Sequence, residues 1–358
     1  MSQTIRIDPS RLSQFGPAAG STFCLVTNPE IRETFELVQD APYDGYLTLE
    51  LGSTDSFEDL LKTSIPEPAH ILVISPYRFF QSPDDDLLGG QRKLMAMACN
   101  STPTSVETIR HFLGIMERSS AAGQGDFSES FFEKAEAADR LEYVDVRYGT
   151  RAVLDHLQDG LVWNQQAGPL EWGEQQIVPS GEISVLPIEI TAFHEDLRLP
   201  LDGEITLRGY PILHSGTPSF SRADQARIHE RLSAMNEHAI KAVVVAGRIT
   251  ELVALDPGAG PAVEMLEQMF AVDSRYRIVW EIGHALNVNL DILPGNHAMN
   301  EVYGGTQGCL HWGLGLTPFT QYHLDIISPG TSVIGGSGGQ VLIGTPRGTP
   351  VERVAMVG

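Results

Sequence analysis

The sequence predicts an α/β N-terminal domain over residues 1–150, followed by an α+β C-terminal domain over residues 151–358. Three observations carry this expectation. Residues 70–75 (HILVIS) form a nearly continuous apolar run after a proline-rich turn, as a strand buried in a parallel sheet requires. Residues 105–119 set Val106, Ile109, Phe112, Leu113 and Met116 on one helical face. Beyond about residue 150 the texture changes, because Gly160, Gly168, Gly173 and Gly181 cut the chain into short segments.

Taken in order, residues 22–26 (TFCLV) and 46–51 (YLTLEL) read as short strands. The small, polar stretch 123–126 reads as a loop, and 143–148 as a further strand. Strands alternating with helices give the N-terminal half its α/β character. From 181 to 206 the pattern is strand, turn, strand, with Asp202-Gly203 as a tight-turn signal. Residues 222–240 have amphipathic helical spacing, 242–246 (AVVVA) form a strand, and 262–270 a short helix. Strands are expected at 276–280, 323–327 and 341–343. No internal repeat and no low-complexity tract is present.

Composition excludes several function classes. Against 46 acidic residues stand 24 basic ones, a net charge of −22. Such a surface repels phosphate backbones and anionic lipid, so neither a nucleic-acid nor a membrane partner is expected. No apolar run approaches the ~20 residues that span a bilayer. The opening MSQTIRIDPSRLSQF has no apolar core of a secretory signal. Cys24, Cys99 and Cys309 are odd in number and far apart, which suits a reducing, cytoplasmic setting better than a disulfide framework.

Chemistry concentrates late in the chain. Four of the eleven histidines lie between positions 284 and 323, close to several carboxylates. His323-Leu324-Asp325 is H-x-D in an expected strand, so both heads share one face and can converge on one ion. Imidazole with carboxylate suits Zn, Mn, Fe or Co; a satisfied core pair is the bland alternative. His311 sits among Gly308, Gly313 and Gly315, where backbone can approach closely, or else bonds a carbonyl in the core. Glu281 ends the run YRIVW and needs a partner if buried, either a cation or an arginine. Glu182 follows the turn Pro179-Ser180-Gly181, opens the run ISVLP, and on local evidence reads as an exposed turn residue. His194, His214, His229 and His238 read as core or solvated, and His297 as a loop residue. Cys309 reads as packing rather than as a nucleophile.

Together these segments resemble the thermophilic-type (M29) metalloaminopeptidases and their shorter relatives. The segments are Pro179-Ser180-Gly181-Glu182, Glu281-Ile282-Gly283-His284-Ala285-Leu286-Asn287, Glu301 with Gly305-Thr306 through Gly315, and His323-Leu324-Asp325. Their order agrees over about residues 140–345, and the N-terminal 140 residues match loosely. The resemblance implies a C-terminal metal-binding catalytic domain holding two divalent ions (Zn, Mn or Co) on Glu182, Glu281, His311, His323 and Asp325. It implies Glu281 as the bridging carboxylate, Glu301 as general base or extra ligand, a peptide or amide substrate, and a homodimer. The family's tyrosine shortly after the histidine has no counterpart in WGLGLTPFTQ, and Tyr322 is displaced from it. A non-catalytic peptide-binding descendant is therefore one alternative. A second is the related dihydroxypyridine dioxygenase branch, with a single Fe(II) on two histidines and an aspartate, to which His284 would contribute if the register differed.

Overall fold

A computed structural model describes residues 4–97, 105–177, 181–188, 190, 196–286 and 309–345. The chain begins β1 (Ile5–Ile7), β2 (Thr22–Thr27), β3 (Phe35–Leu37), β4 (Gly45–Glu50), α1 (Phe57–Thr63), β5 (Ala69–Ile74), α2 (Asp85–Leu88), β6 (Arg92–Met97), α3 (Val106–Met116) and α4 (Ala121–Glu136). It continues through β7 (Leu141–Asp145), β8 (Thr150–Leu154), β9 (Leu161–Gln166), β10 (Gln175–Gln176), β11 (Glu182–Pro187), β12 (Leu201–Leu207) and β13 (Tyr210–Ser215). It closes with α5 (Arg222–Leu232), β14 (Ile240–Val245), β15 (Arg248–Ala254), α6 (Gly260–Val272), β16 (Val279–Ala285), β17 (Cys309–Leu314), β18 (Tyr322–Pro329), β19 (Ser332–Gly335) and β20 (Val341–Ile343).

The protein is a mixed α/β fold with several sheets. A parallel sheet has the order β10-β6-β5-β2-β4. Every residue of β5 is buried, because helices or loops cover both faces. Alternate residues serve two cores. Phe23, Leu25, Leu72 and Ile74 pack toward α3, whereas Cys24, Val26, Ile71 and Val73 pack toward α1.

Two antiparallel sheets follow, β13-β18-β17-β16-β11-β9 and β15-β14-β12-β8-β7-β19-β20. They share the largest core with α4, α5 and α6. The six-stranded sheet presents Ile183, Val185, Ile282, Trp312, Leu324 and Ile326 to that core, all fully buried. Its opposite face is therefore free to carry polar groups. The β7–β8 hairpin spans residue 150, and β10 pairs back onto β6 of the parallel sheet. Among the described residues no helix is long and apolar enough to cross a membrane.

The structure corrects four local expectations. Residues 123–126 lie inside α4, whose Ser120 cap accepts from Gly123 N at 3.1 Å. Gly168 N donates to Gln124 Oε1 at 3.3 Å, which ties the helix to the segment after β9. Asp202-Gly203 lies within β12, not in a turn. A Cβ at Gly203 would stand 2.4 Å from Arg151 O and 2.8 Å from Ala152 Cα, so glycine lets β8 and β12 close up. The helix expected over 222–240 ends at Leu232, where the Ser233 hydroxyl donates back to His229 O at 2.8 Å and the chain tightens into a 3₁₀ turn. The strand expected over 276–280 starts only at Val279, after a 3₁₀ turn over Ser274–Arg277.

Candidate metal centre

Strand periodicity builds the site. On one face of the six-stranded sheet stand Gln166 and Asn164 of β9, Glu182 of β11, Glu281 and Gly283 of β16, His311 and Gly313 of β17, His323 and Asp325 of β18, and His214 of β13. Neighbouring strands lie about 4.8 Å apart, so functional groups from four adjacent strands meet within the reach of one or two ions. Donor atoms of Glu182, Glu281 and His311 all lie within 4.8 Å of one another, and so do those of Glu281, His323 and Asp325. Glu281 belongs to both groups.

Individual contacts refine this. His311 Nε2 stands 3.4 Å from Glu182 Oε1 and 3.6 Å from Asp325 Oδ1. His323 Nε2 stands 3.0 Å from Asp325 Oδ2 and 3.8 Å from Glu281 Oε2. The other nitrogen of His323, Nδ1, donates to Gly315 O at 2.9 Å, which directs Nε2 into the cluster. His214 Nε2 reaches Asp325 Oδ2 at 3.2 Å, and its ring stacks on that of His323 with centroids 5.8 Å apart.

Two glycines make room. A Cβ at Gly283 would lie 2.0 Å from His311 Cε1 and 2.3 Å from Glu182 Oε1. A Cβ at Gly313 would lie 2.8 Å from Glu281 Cβ and 3.3 Å from Asp325 Oδ1. Gly283→Ala is accordingly expected to push His311 and Glu182 apart and to weaken divalent-ion binding by about 100-fold or more, with helical content unchanged. Metal titration monitored by calorimetry, beside a circular dichroism spectrum, checks this.

Electrostatics favours added positive charge. Glu182 and Asp325 are buried, and Glu281 is partly so. Three carboxylates this close are costly without cations, yet among the described residues no lysine or arginine lines the cavity above them. A histidine proton offsets part of the charge. Burial opposes the charged form of His323, but Asp325 and then Glu281 outweigh it and hold the pKa up to about 10. Burial likewise opposes ionisation of Asp325, but His323 and His311 hold it well below the usual carboxylate range. At His214 burial dominates, and its pKa lies below the ordinary imidazole value despite Asp325. Asp325 Oδ1 is buried with no hydrogen-bond partner among the described residues, as expected of an oxygen kept for an ion. The donor set of carboxylates and imidazoles fits Zn, Mn, Co or Fe(II).

All five expected ligand-type residues thus stand together: Glu182, Glu281, His311, His323 and Asp325. Glu301 lies outside the described residues, as do Pro179, Ser180, His194 and His297. His284 is not available to an iron site. It occupies the opposite face of β16, where Nδ1 donates to Ile183 O at 2.9 Å and Nε2 meets the Tyr143 hydroxyl at 3.1 Å. Burial pushes its pKa down to about 4, so it sits in the core as a neutral, satisfied residue. Tyr322 also faces away, with its hydroxyl 3.0 Å from Asp224 Oδ2. Cys309 packs with Ile212 and Ile327, and burial pushes its thiol up to about 12, leaving it protonated and unreactive. His214, read from the sequence as core or solvated, belongs to the cluster. Its signal is the cross-strand pairing of His214 with His323, which only the fold reveals.

No protein-family model matches this chain, and no curated protein matches it by sequence. Among solved structures it is similar to the 2,5-dihydroxypyridine dioxygenase of Pseudomonas putida KT2440, with a TM-score of 0.57 and 12% identity over 93% of this chain and 92% of that one. It also matches wild-type AmpT of Thermus thermophilus, with a TM-score of 0.40 and 12% identity over 90% of this chain and 91% of that one. At such identity the first likeness speaks to the fold alone. The motif resemblance in the sequence is therefore accompanied by a distant structural relationship and by no sequence-family match.

Proposed function

We propose that the protein is a metal-dependent hydrolase of the aminopeptidase type, cleaving a peptide or amide bond at a dinuclear centre. One observation carries the reading: Glu281 is shared by two three-residue donor groups, the arrangement a bridging carboxylate needs. Glu182 and His311 would hold one ion with Glu281, and His323 and Asp325 the other. When bound, two such cations supply Lewis acidity toward a scissile carbonyl and lower the pKa of an attacking water. The chain's own residues fix the geometry. Gly315 O sets the His323 ring, and His214 steadies Asp325. Gln166 accepts from Ile177 N on Oε1 at 2.7 Å and donates to Asn164 Oδ1 at 3.2 Å, which fixes both amides on the cavity wall. Glu301 is carried over from the family resemblance as the proton acceptor.

A mononuclear Fe(II) ring-cleaving oxygenase is the second reading. It is favoured by His311 and His323 flanking Asp325, a two-histidine, one-carboxylate set, and by the activity named for the dioxygenase neighbour. It leaves Glu182 and Glu281 without a task. The test is a peptide and amide library incubated with chain reconstituted in Zn, Mn or Co, beside oxygen uptake on ring diols after anaerobic iron loading. We expect release of N-terminal residues that a chelator abolishes. Oxygen uptake with iron and no hydrolysis under any loading would reverse the assignment.

A further inference from the structure

The cavity over the cluster has a volume of about 470 Å³. Its floor is the polar face of the six-stranded sheet, and much of its remaining wall is apolar: Phe79, Phe80, Met97, Ile177, Leu186 and Leu316. Met97 and Ser75 stand at the carboxyl ends of β6 and β5, the edge where parallel sheets commonly receive ligands. Among the described residues lining the cavity, none is a lysine or an arginine. The internal segments outside the described residues, at 98–104, 178–180, 189, 191–195 and 287–308, contain neither. Their acidic residues are Glu189, Glu195, Asp291 and Glu301, and the basic residues beyond the described set are Arg347 and Arg353.

A free dipeptide carries its carboxylate about one Cα spacing, ~4 Å, beyond the scissile bond. In this cavity that carboxylate meets no cationic side chain among the described residues and faces Glu182, Glu281 and Asp325. Those three carboxylates offset most of the charge that two bound divalent ions would bring. The apolar wall, in contrast, welcomes uncharged backbone and apolar side chains. We infer that the site selects peptides or amides with no carboxylate next to the scissile bond, and discriminates against free dipeptides. The inference rests on the hydrolase reading above and names its substrate class.

The test uses the full chain loaded with Zn, Mn or Co, offered Leu-Ala and its C-terminal amide. Like-charge juxtaposition predicts kcat/KM at least about tenfold higher for the amide. Gln81→Arg, which places a cation on the cavity wall outside the metal cluster, is expected to narrow the gap to within about threefold. Equal rates for acid and amide would overturn the proposal, and so would a gap that Gln81→Arg leaves unchanged. Calorimetric binding of both compounds separates this idea from the reading beneath it. If neither is cleaved but the amide binds at least tenfold more tightly, the substrate class stands and the hydrolase reading falls. Binding of the acid as tightly as the amide, or of neither, overturns the substrate class.

Discussion

Replacing Glu281 with alanine is expected to remove both divalent ions, not one. Its carboxylate is the donor common to the Glu182–His311 group and the His323–Asp325 group, so its loss leaves two residues of each. Loss of a residue that only hydrogen-bonds a ligand typically costs about 10- to 100-fold in metal affinity, and loss of a direct, shared ligand is expected to exceed about 100-fold at both ions. Hydrolysis should fall to background. Glu182→Ala, in contrast, removes a donor from one group only and should weaken one ion selectively. Metal content of dialysed variants, measured by elemental mass spectrometry, distinguishes the two patterns. If Glu281→Ala keeps one ion at wild-type affinity, the carboxylate does not bridge.

The second large effect concerns the histidine beside it in sequence. His284→Ala is expected to destabilise the fold by about 3 kcal/mol while leaving metal content unchanged. The side chain is fully buried among Phe131, Tyr143 and Trp163, with ring centroids 5.2–5.8 Å away. Truncation opens a cavity and strands the Ile183 carbonyl and the Tyr143 hydroxyl, each of which now has a partner. Urea unfolding of the metal-free and metal-loaded variant measures both halves of the claim. A normal midpoint with lost metal would make His284 a ligand and bring back the oxygenase reading.

The contrast between these neighbours shows how far the sequence could be read. Period-two alternation is a local property, so H-x-D already set His323 and Asp325 on one face, and the end of an apolar run already marked Glu281. The buried parallel strand at 70–75 was legible for the same reason, because hydrophobic continuity needs no knowledge of partners. What alternation cannot give is which face of one strand meets which face of another. His284 could be assigned to the core only once β16 was registered against β11 and β17. His214 was missed because its importance comes from a strand more than a hundred residues away in sequence. β17 was not expected as a strand, and its Gly313, like Gly283 of the neighbouring β16, makes room for site residues: Glu281 and Asp325 beside the first, His311 and Glu182 beside the second. Gly123 and Gly125 misled too, because they are ordinary helix residues of α4 behind the Ser120 cap. At Gly283 and Gly313 a small residue serves a close approach that only the tertiary structure displays.

The most direct test of the central claim is the number and kind of ions bound per chain. Apo protein would be reconstituted with excess Zn, Mn, Co or, anaerobically, Fe(II), freed of unbound metal, and analysed by elemental mass spectrometry beside an amide-hydrolysis assay. A dinuclear centre retains about two divalent ions per chain, with hydrolysis appearing as the second site fills. A single tightly held iron without hydrolysis, or no ion retained under any condition, would contradict it.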